Sequence, residues 1–226
     1  MKVPASDAVR AEWRRRIEAE YRSAAITQHL GLWLIQLGAS PDLVKLCMRI
    51  AADEIAHAEL SDRAYARAGG AEPPQIARET LQLVRHEGDP LEHDVARVIV
   101  DVFCLGETIA VPLFQKLRAG CTVPAARRVL DRVLRDEVCH RDFGWTALRW
   151  LLEEWPELRG LIDRELPLWF SRVRATYAPP GAEAQRAIDA SDRAWGLMAP
   201  ATYVEVLERT FVRDWIPRFG KLGIQA

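Results

Sequence analysis

The sequence predicts an all-α protein, built as two antiparallel helical hairpins joined by one long crossover and extended by further helices. Three observations carry this. Apolar residues recur at spacings of three and four over long stretches, while alternating runs of β-branched residues are scarce. Start and stop signals divide the chain at regular intervals. Two of the connections are short and the one between them is long.

The elements follow from the punctuation. Ser6-Asp7 opens a first helix that Gly38 ends, and Ser40-Pro41 supplies an N-cap and a first-turn proline for the second, which Gly69-Gly70 closes. Asp89-Pro90, with Glu92 three residues after the aspartate, opens a third helix that ends at Gly120. Thr122 caps a fourth, which stops near Trp155-Pro156. The crossover, AEPPQIARETLQLVRHEG, is long enough to hold a short helix of its own. A fifth helix is expected from Pro156 to about Tyr177. The turn-rich APPGAEAQ follows, then a short helix near 183–195 and a last one from about Pro200 to Gly220. The whole of 1–226 reads as a single domain, a bundle over about 6–155 with a C-terminal helical extension over about 156–226 packed on it.

Composition excludes several function classes. With 49% hydrophobic residues the 226-residue chain can bury a large core, and a net charge of −1 argues against a nucleic-acid footprint. The charged beginning, EWRRRIEAEYR, lacks the apolar core of a signal peptide, and no run of about 18 apolar residues stands out as a membrane span. Cys47, Cys104, Cys121 and Cys139 lack CxxC spacing and read as reduced thiols of a cytoplasmic protein.

Two octapeptides carry the chemistry. Residues 53–60 read DEIAHAEL and residues 136–143 read DEVCHRDF, so Asp-Glu-x-x-His occurs twice in a chain with five histidines. Positions i and i+3 share a helix face, so Glu54 with His57, and Glu137 with His140, each present a carboxylate and an imidazole to one point. Such pairs suit iron, manganese or zinc. A single pair would be no more than a solvated helix face, but the partner helices supply further carboxylates at matching levels. Glu107, in the apolar FCLGETIAVPLF, lies as far before the second short turn as Glu137 lies after it. In the first hairpin Glu20 faces the same way as Trp13, Ile17, Ala24 and Thr27. Glu18 lies about 200° round the helix and is the reserve candidate. The six ligands expected are Glu20, Glu54, His57, Glu107, Glu137 and His140, the set of a dinuclear carboxylate bundle. Asp53 and Asp136 are expected behind the histidines, fixing ring direction. Ala24, Thr27, Cys104, Ala110, Val111 and Phe114, with Phe103 and Gly144 near them, would wall a pocket. Pro112 frees the carbonyl of Thr108 and would bend the third helix. Tyr21, His29, His86 and His93 read as packing or solvated groups.

This duplicated pattern resembles the ferritin-like superfamily of carboxylate-bridged dinuclear metal proteins over about residues 10–155. The stretch from Glu20 through GASPDLVKLCMRIAADEIAHAEL is similar to the first hairpin of rubrerythrin. The aspartate before each motif glutamate resembles the oxygen-activating branch, which includes ribonucleotide reductase small subunits, bacterial multicomponent monooxygenases and N-oxygenases of aryl amines. The resemblance implies a ferritin-like four-helix bundle holding two iron ions, Fe/Fe first and Mn/Fe or Mn/Mn as variants. It implies an oxidase or oxygenase that takes O2, a small organic substrate and an external electron donor. The alternatives are a ferroxidase or iron-storage protein and a di-manganese catalase or rubrerythrin-like peroxidase. The aromatic C-terminal helices (Trp169, Phe170, Trp195, Phe211, Trp215) would cover a pocket or build a homodimer.

Overall fold

The computed structural model describes residues 4–177 and 187–225, all helix, turn or irregular chain with no strand among them. The APPGAEAQ stretch and the start of the expected 183–195 helix lie outside the described residues. The helices are α1 (Asp7–Gln36), α2 (Pro41–Arg67), α3 (Leu91–Val98), α4 (Thr108–Gly120), α5 (Pro124–Glu154), α6 (Leu158–Tyr177), α7 (Ala190–Ala194), α8 (Pro200–Thr210) and α9 (Ile216–Lys221). The chain divides into two compact units. The first comprises Met1–Val84, Phe114–Asp136 and Ala187–Met198, and the second Arg85–Leu113, Glu137–Arg186 and Ala199–Ala226.

In the first unit, α1 and α2 form an antiparallel hairpin whose ends are set locally. Ser6 and Ser40 accept from the amides of Val9 and Leu43, satisfying N-terminal donors, and Gly38 and Gly69 take the left-handed conformation (φ 76° and 85°) past each helix end. The register shows in the cross-links: Ser23 bonds Glu54, and the Cys47 thiol bonds the carbonyl of Thr27. After α2 the chain climbs alongside α1. Arg14 pairs with Glu72, Glu18 accepts from the Gln75 amide at 2.8 Å, Arg22 bonds Thr80, and His29 Nδ1 accepts from the Leu83 amide at 3.0 Å. Where a short helix is expected, this crossover holds a 3₁₀ turn, Arg78–Thr80, and its Gln75 and Leu83 amides are taken by side chains of α1 rather than by carbonyls of a helix. A core of Val9, Trp13, Ile17, Ala64, Leu117, Leu130 and Val133 fills the unit, and Trp13 Nε1 bonds the carbonyl of Trp195. α4 and α5 make the second hairpin, tied by Arg118–Asp131.

In the second unit the third helix is not continuous α-helix. Between α3 and α4, Ile99–Glu107 is a nine-residue π-helical segment. The expected Asp89 cap is not made: Asp89 pairs with Arg97, which also forks onto Glu165 of α6. In the first unit α5 starts at Pro124, which puts Val123 rather than Thr122 at the N-cap position, and the amides of both residues donate to the carbonyl of Ala194. The last helix is likewise interrupted, with a π segment at Phe211–Trp215 between α8 and α9. Phe170, Phe211, Trp215 and Phe219 stack edge-on, and Trp215 Nε1 bonds the carbonyl of Cys104.

The stretch Leu91–Gly120 is long and apolar enough, by length and composition, to cross a membrane. Just over half of its most apolar window is packed inside the protein, as in a core helix.

Candidate metal centre

Each ligand candidate reaches its place through helix periodicity. On α1, Glu20 follows Trp13 and Ile17 on the buried face. On α2, Glu54 and His57 are 2% and 0% exposed. His57 Nδ1 lies 3.7 Å from a Glu20 oxygen and 3.5 Å from a Glu54 oxygen, so one imidazole nitrogen faces two carboxylates. On α5, His140 Nδ1 lies 3.6 Å from Glu137 in the same i, i+3 relation, and both are buried. Glu107 is the last residue of the π segment, five residues before Pro112, and is buried as well.

The six candidates come together in two groups of three, Glu20 with His57 and Glu137, and Glu54 with Glu107 and His140. In each group one donor atom per residue lies within 4.8 Å of the others, and all six residues are buried. Two buried Glu/His clusters could therefore hold metal ions. The donor set fits such ions: four carboxylates and two imidazoles are packed where water does not reach, and buried carboxylates without compensating charge are expensive.

The surrounding groups fix the donors. His57 Nε2 lies 3.0 Å from Asp136 Oδ2, which directs the other nitrogen, Nδ1, at Glu20 and Glu54. Asp136 also accepts from Arg132, and Arg132 Nη2 reaches Asp53 Oδ1 at 2.8 Å. One arginine thus ties together the aspartates of both motifs. Ser23 Oγ donates to Glu54 Oε1 at 3.0 Å. The sequence reading missed Arg132 and Ser23. Arg132 stands i, i+4 from Asp136, which on sequence alone reads as a surface ion pair, and its contact with Asp53 is tertiary.

Charge states follow from burial and these contacts. Burial, and then the neighbouring Glu54, raise Glu20 to about 7 against the pull of His57. Burial alone would lower His57, but its hydrogen bonds and charge contacts with Glu20 and Glu54 overcome that and carry it up. Burial would raise Asp136, yet Arg132 and His57 hold it below the usual carboxylate range. Without a cation the cluster keeps protons that a metal must displace.

The other candidates distribute as follows. Ala24 and Thr27 are buried in the hairpin. Cys104 and Val111 are buried in the second unit, where Ala110 is half-buried. Burial pushes the Cys104 thiol well up, so it is a neutral wall. Phe114 packs beside the first-unit core. Glu18, the reserve ligand, turns outward to the crossover, Tyr21 is exposed, and Cys139 is an exposed thiol. The two described cavities of the first unit are lined elsewhere, by Arg10, Arg14 and Tyr65 and by Arg63, Arg67 and Arg128 with their neighbours.

Gly144 is the closest approach in the second unit. A Cβ there would lie 2.6 Å from Phe103 Cβ and 2.9 Å from the Phe103 carbonyl carbon, so the π segment rests directly on α5 one turn after His140.

No family model, no curated protein and no solved structure matches this chain.

Proposed function

We propose that this chain is a dinuclear non-haem iron enzyme of ferritin-like architecture, an oxidase or oxygenase that uses O2 to oxidise a small organic molecule. One observation carries the reading: four carboxylates and two imidazoles, all buried, gathered into two three-donor groups. Four carboxylates bring a formal charge that two divalent cations would neutralise, whereas surface solvation is closed to them. Glu20, His57 and Glu137 would hold one ion, and Glu54, Glu107 and His140 the other. Redox metals at these two groups would supply the electrons that O2 needs. The chain's own residues do the rest. With an ion bound, Asp136 would keep a proton on His57 Nε2 and leave Nδ1 to the metal. Arg132 holds the carboxylate of Asp136 ionised, and Ser23 fixes the rotation of Glu54.

The test is a titration of metal-free protein with ferrous iron, first without and then with air. About two irons per chain, as the ligand set dictates, and an O2-dependent absorbance change that stops there support the oxidase. Uptake of many irons per chain would instead make it a storage protein. Rapid dismutation of hydrogen peroxide by the manganese-loaded protein would make it a catalase. His57→Ala and His140→Ala each remove one donor of one group; full iron content in both variants would overturn the ligand assignment.

A further inference from the structure

We propose that the first unit carries a binding site for a small organic carboxylate, built by Arg16 and Ser61 one helical turn from the Glu20–His57 pair. Arg16 is an unusual arginine, only 5% exposed. Its guanidinium lies over the Trp13 ring at 4.5 Å and near Phe114 at 5.9 Å. Nε donates to Glu12 at 2.9 Å and Nη2 to the carbonyl of Gly196 at 3.1 Å. Nη1, fully buried, has no hydrogen-bond partner. Ser61 is 1% exposed, and its hydroxyl also has none. Buried donors are rarely left unmade, and an unmade one asks for a missing partner.

The two groups belong together. Arg16 precedes Glu20 by four residues on α1 and Ser61 follows His57 by four on α2, so each stays on the face of its neighbour. The helices are antiparallel and Glu20 touches His57, so both steps run the same way along the hairpin, about 6 Å from that contact. Arg16 and Ser61 therefore stand at one level of the hairpin, on the faces that carry Glu20 and His57.

The chemistry selects the ligand. The guanidinium lies over Trp13, and its Nε and Nη2 each donate once; the Nη1 that remains is a charged N–H donor of the kind that holds a carboxylate oxygen. Glu12 already offsets part of the charge of Arg16, so a dianion such as phosphate would stay uncompensated in these apolar surroundings. A monoanion with an apolar body suits the aromatic neighbours of the guanidinium, Trp13 and Phe114. Its role as substrate rests on the function proposed above: held at Arg16, the body of the acid would extend toward Glu20 and His57.

The experiment uses the full chain, metal-free and manganese-loaded, with metal content measured on the same samples. Benzoate, acetate, benzamide and inorganic phosphate are titrated by calorimetry and by thermal shift. Saturable binding of benzoate or acetate is expected, with no comparable binding of benzamide or phosphate. Arg16→Lys keeps the charge but not the fork and should weaken acid binding about tenfold, while Ser61→Ala should weaken it about two- to tenfold. Circular dichroism checks that both variants fold. The proposal is overturned if neither acid binds at tens of millimolar, if benzamide or phosphate binds equally well, or if both variants bind like the parent. Acid binding in a protein that takes up no iron would leave this site standing and remove only the oxidase reading.

Discussion

Replacing Gly144 by alanine tests how the second unit positions Glu107. The new Cβ would meet Phe103 Cβ at 2.6 Å and the Phe103 carbonyl carbon at 2.9 Å, and Cys104 N at 3.1 Å. Two of these atoms are backbone, so no flexible side chain can swing away. Ordinary contact begins near 3.4 Å, so the π segment or α5 must shift by about half an ångström or more. Overpacking of this kind costs about 1–3 kcal/mol. Alanine in a helix returns up to about 1 kcal/mol of propensity. The net expectation is a loss of about 1–2 kcal/mol, which for a chain of this size lowers Tm by about 2–8 °C. Glu107 lies three residues beyond Cys104 on the same segment. Ligand distances in metal sites hold to about 0.2 Å, so the shift should also reduce iron content. Scanning calorimetry with and without a chelator, and metal analysis, read the two effects separately. A Tm equal to or above that of the parent would refute the packing argument. A lowered Tm with full iron content would show that Gly144 stabilises the unit without setting the position of Glu107.

The other predictions concern the first unit. Glu20→Ala should lower both iron content and the metal-dependent gain in Tm, whereas Glu18→Ala, at a half-buried position whose carboxylate accepts from the Gln75 amide, should cost about 0.5–1.5 kcal/mol and leave iron content intact; iron loss in Glu18→Ala alone would turn α1 round. Arg132→Met removes the cation shared by both motif aspartates and should weaken metal binding about 10–100-fold, read by competition with a chromophoric chelator, and unchanged affinity would mean the arginine is only a surface ion pair. Because Glu20 is raised in the fold, its contribution to the stability of the metal-free protein is present below the ordinary glutamate value of 4.5 and is lost as pH rises to about 7. Glu20→Gln cannot make this loss. The Tm of the metal-free parent should therefore fall relative to that variant across the window, and parallel curves would place the raised carboxylate elsewhere.

What the sequence revealed and what it hid divide along the range of the interactions. Ser6, Ser40, Gly38 and Gly69 act within a turn of themselves, so the first hairpin could be read to within a residue or two at its caps. The facing of Glu20, and the pairing of glutamate with histidine in each motif, follow from the 3.6-residue period alone. The π segment did not show itself. Its residues IVDVFCLGE are as apolar as an α-helical core stretch would be, and Pro112 marks a broken bond without saying which way the backbone yields. Asp89 and Thr122 read as caps, but Arg97, eight residues on, takes the Asp89 carboxylate, and α5 starts one residue later than a Thr122 cap requires, with the Thr122 amide held by the carbonyl of Ala194. Cap signals, which read within one turn, do not foresee either partner.

The two Asp-Glu-x-x-His motifs are alike in sequence, and their aspartates meet at one cation. Arg132 bonds both Asp53 and Asp136, and Asp136 in turn holds His57. That arginine is one-third exposed and is spent on the aspartates, so its charge does not settle the four buried glutamates. Protons settle part of it, as the raised Glu20 and His57 show. A fold meant only to be stable would fill the same volume with leucine and lose nothing, since buried ionic groups seldom outperform well-packed apolar ones. Keeping four carboxylates and two imidazoles in a dry interior, each within reach of two others, is reasonable only if something positive is to be held there.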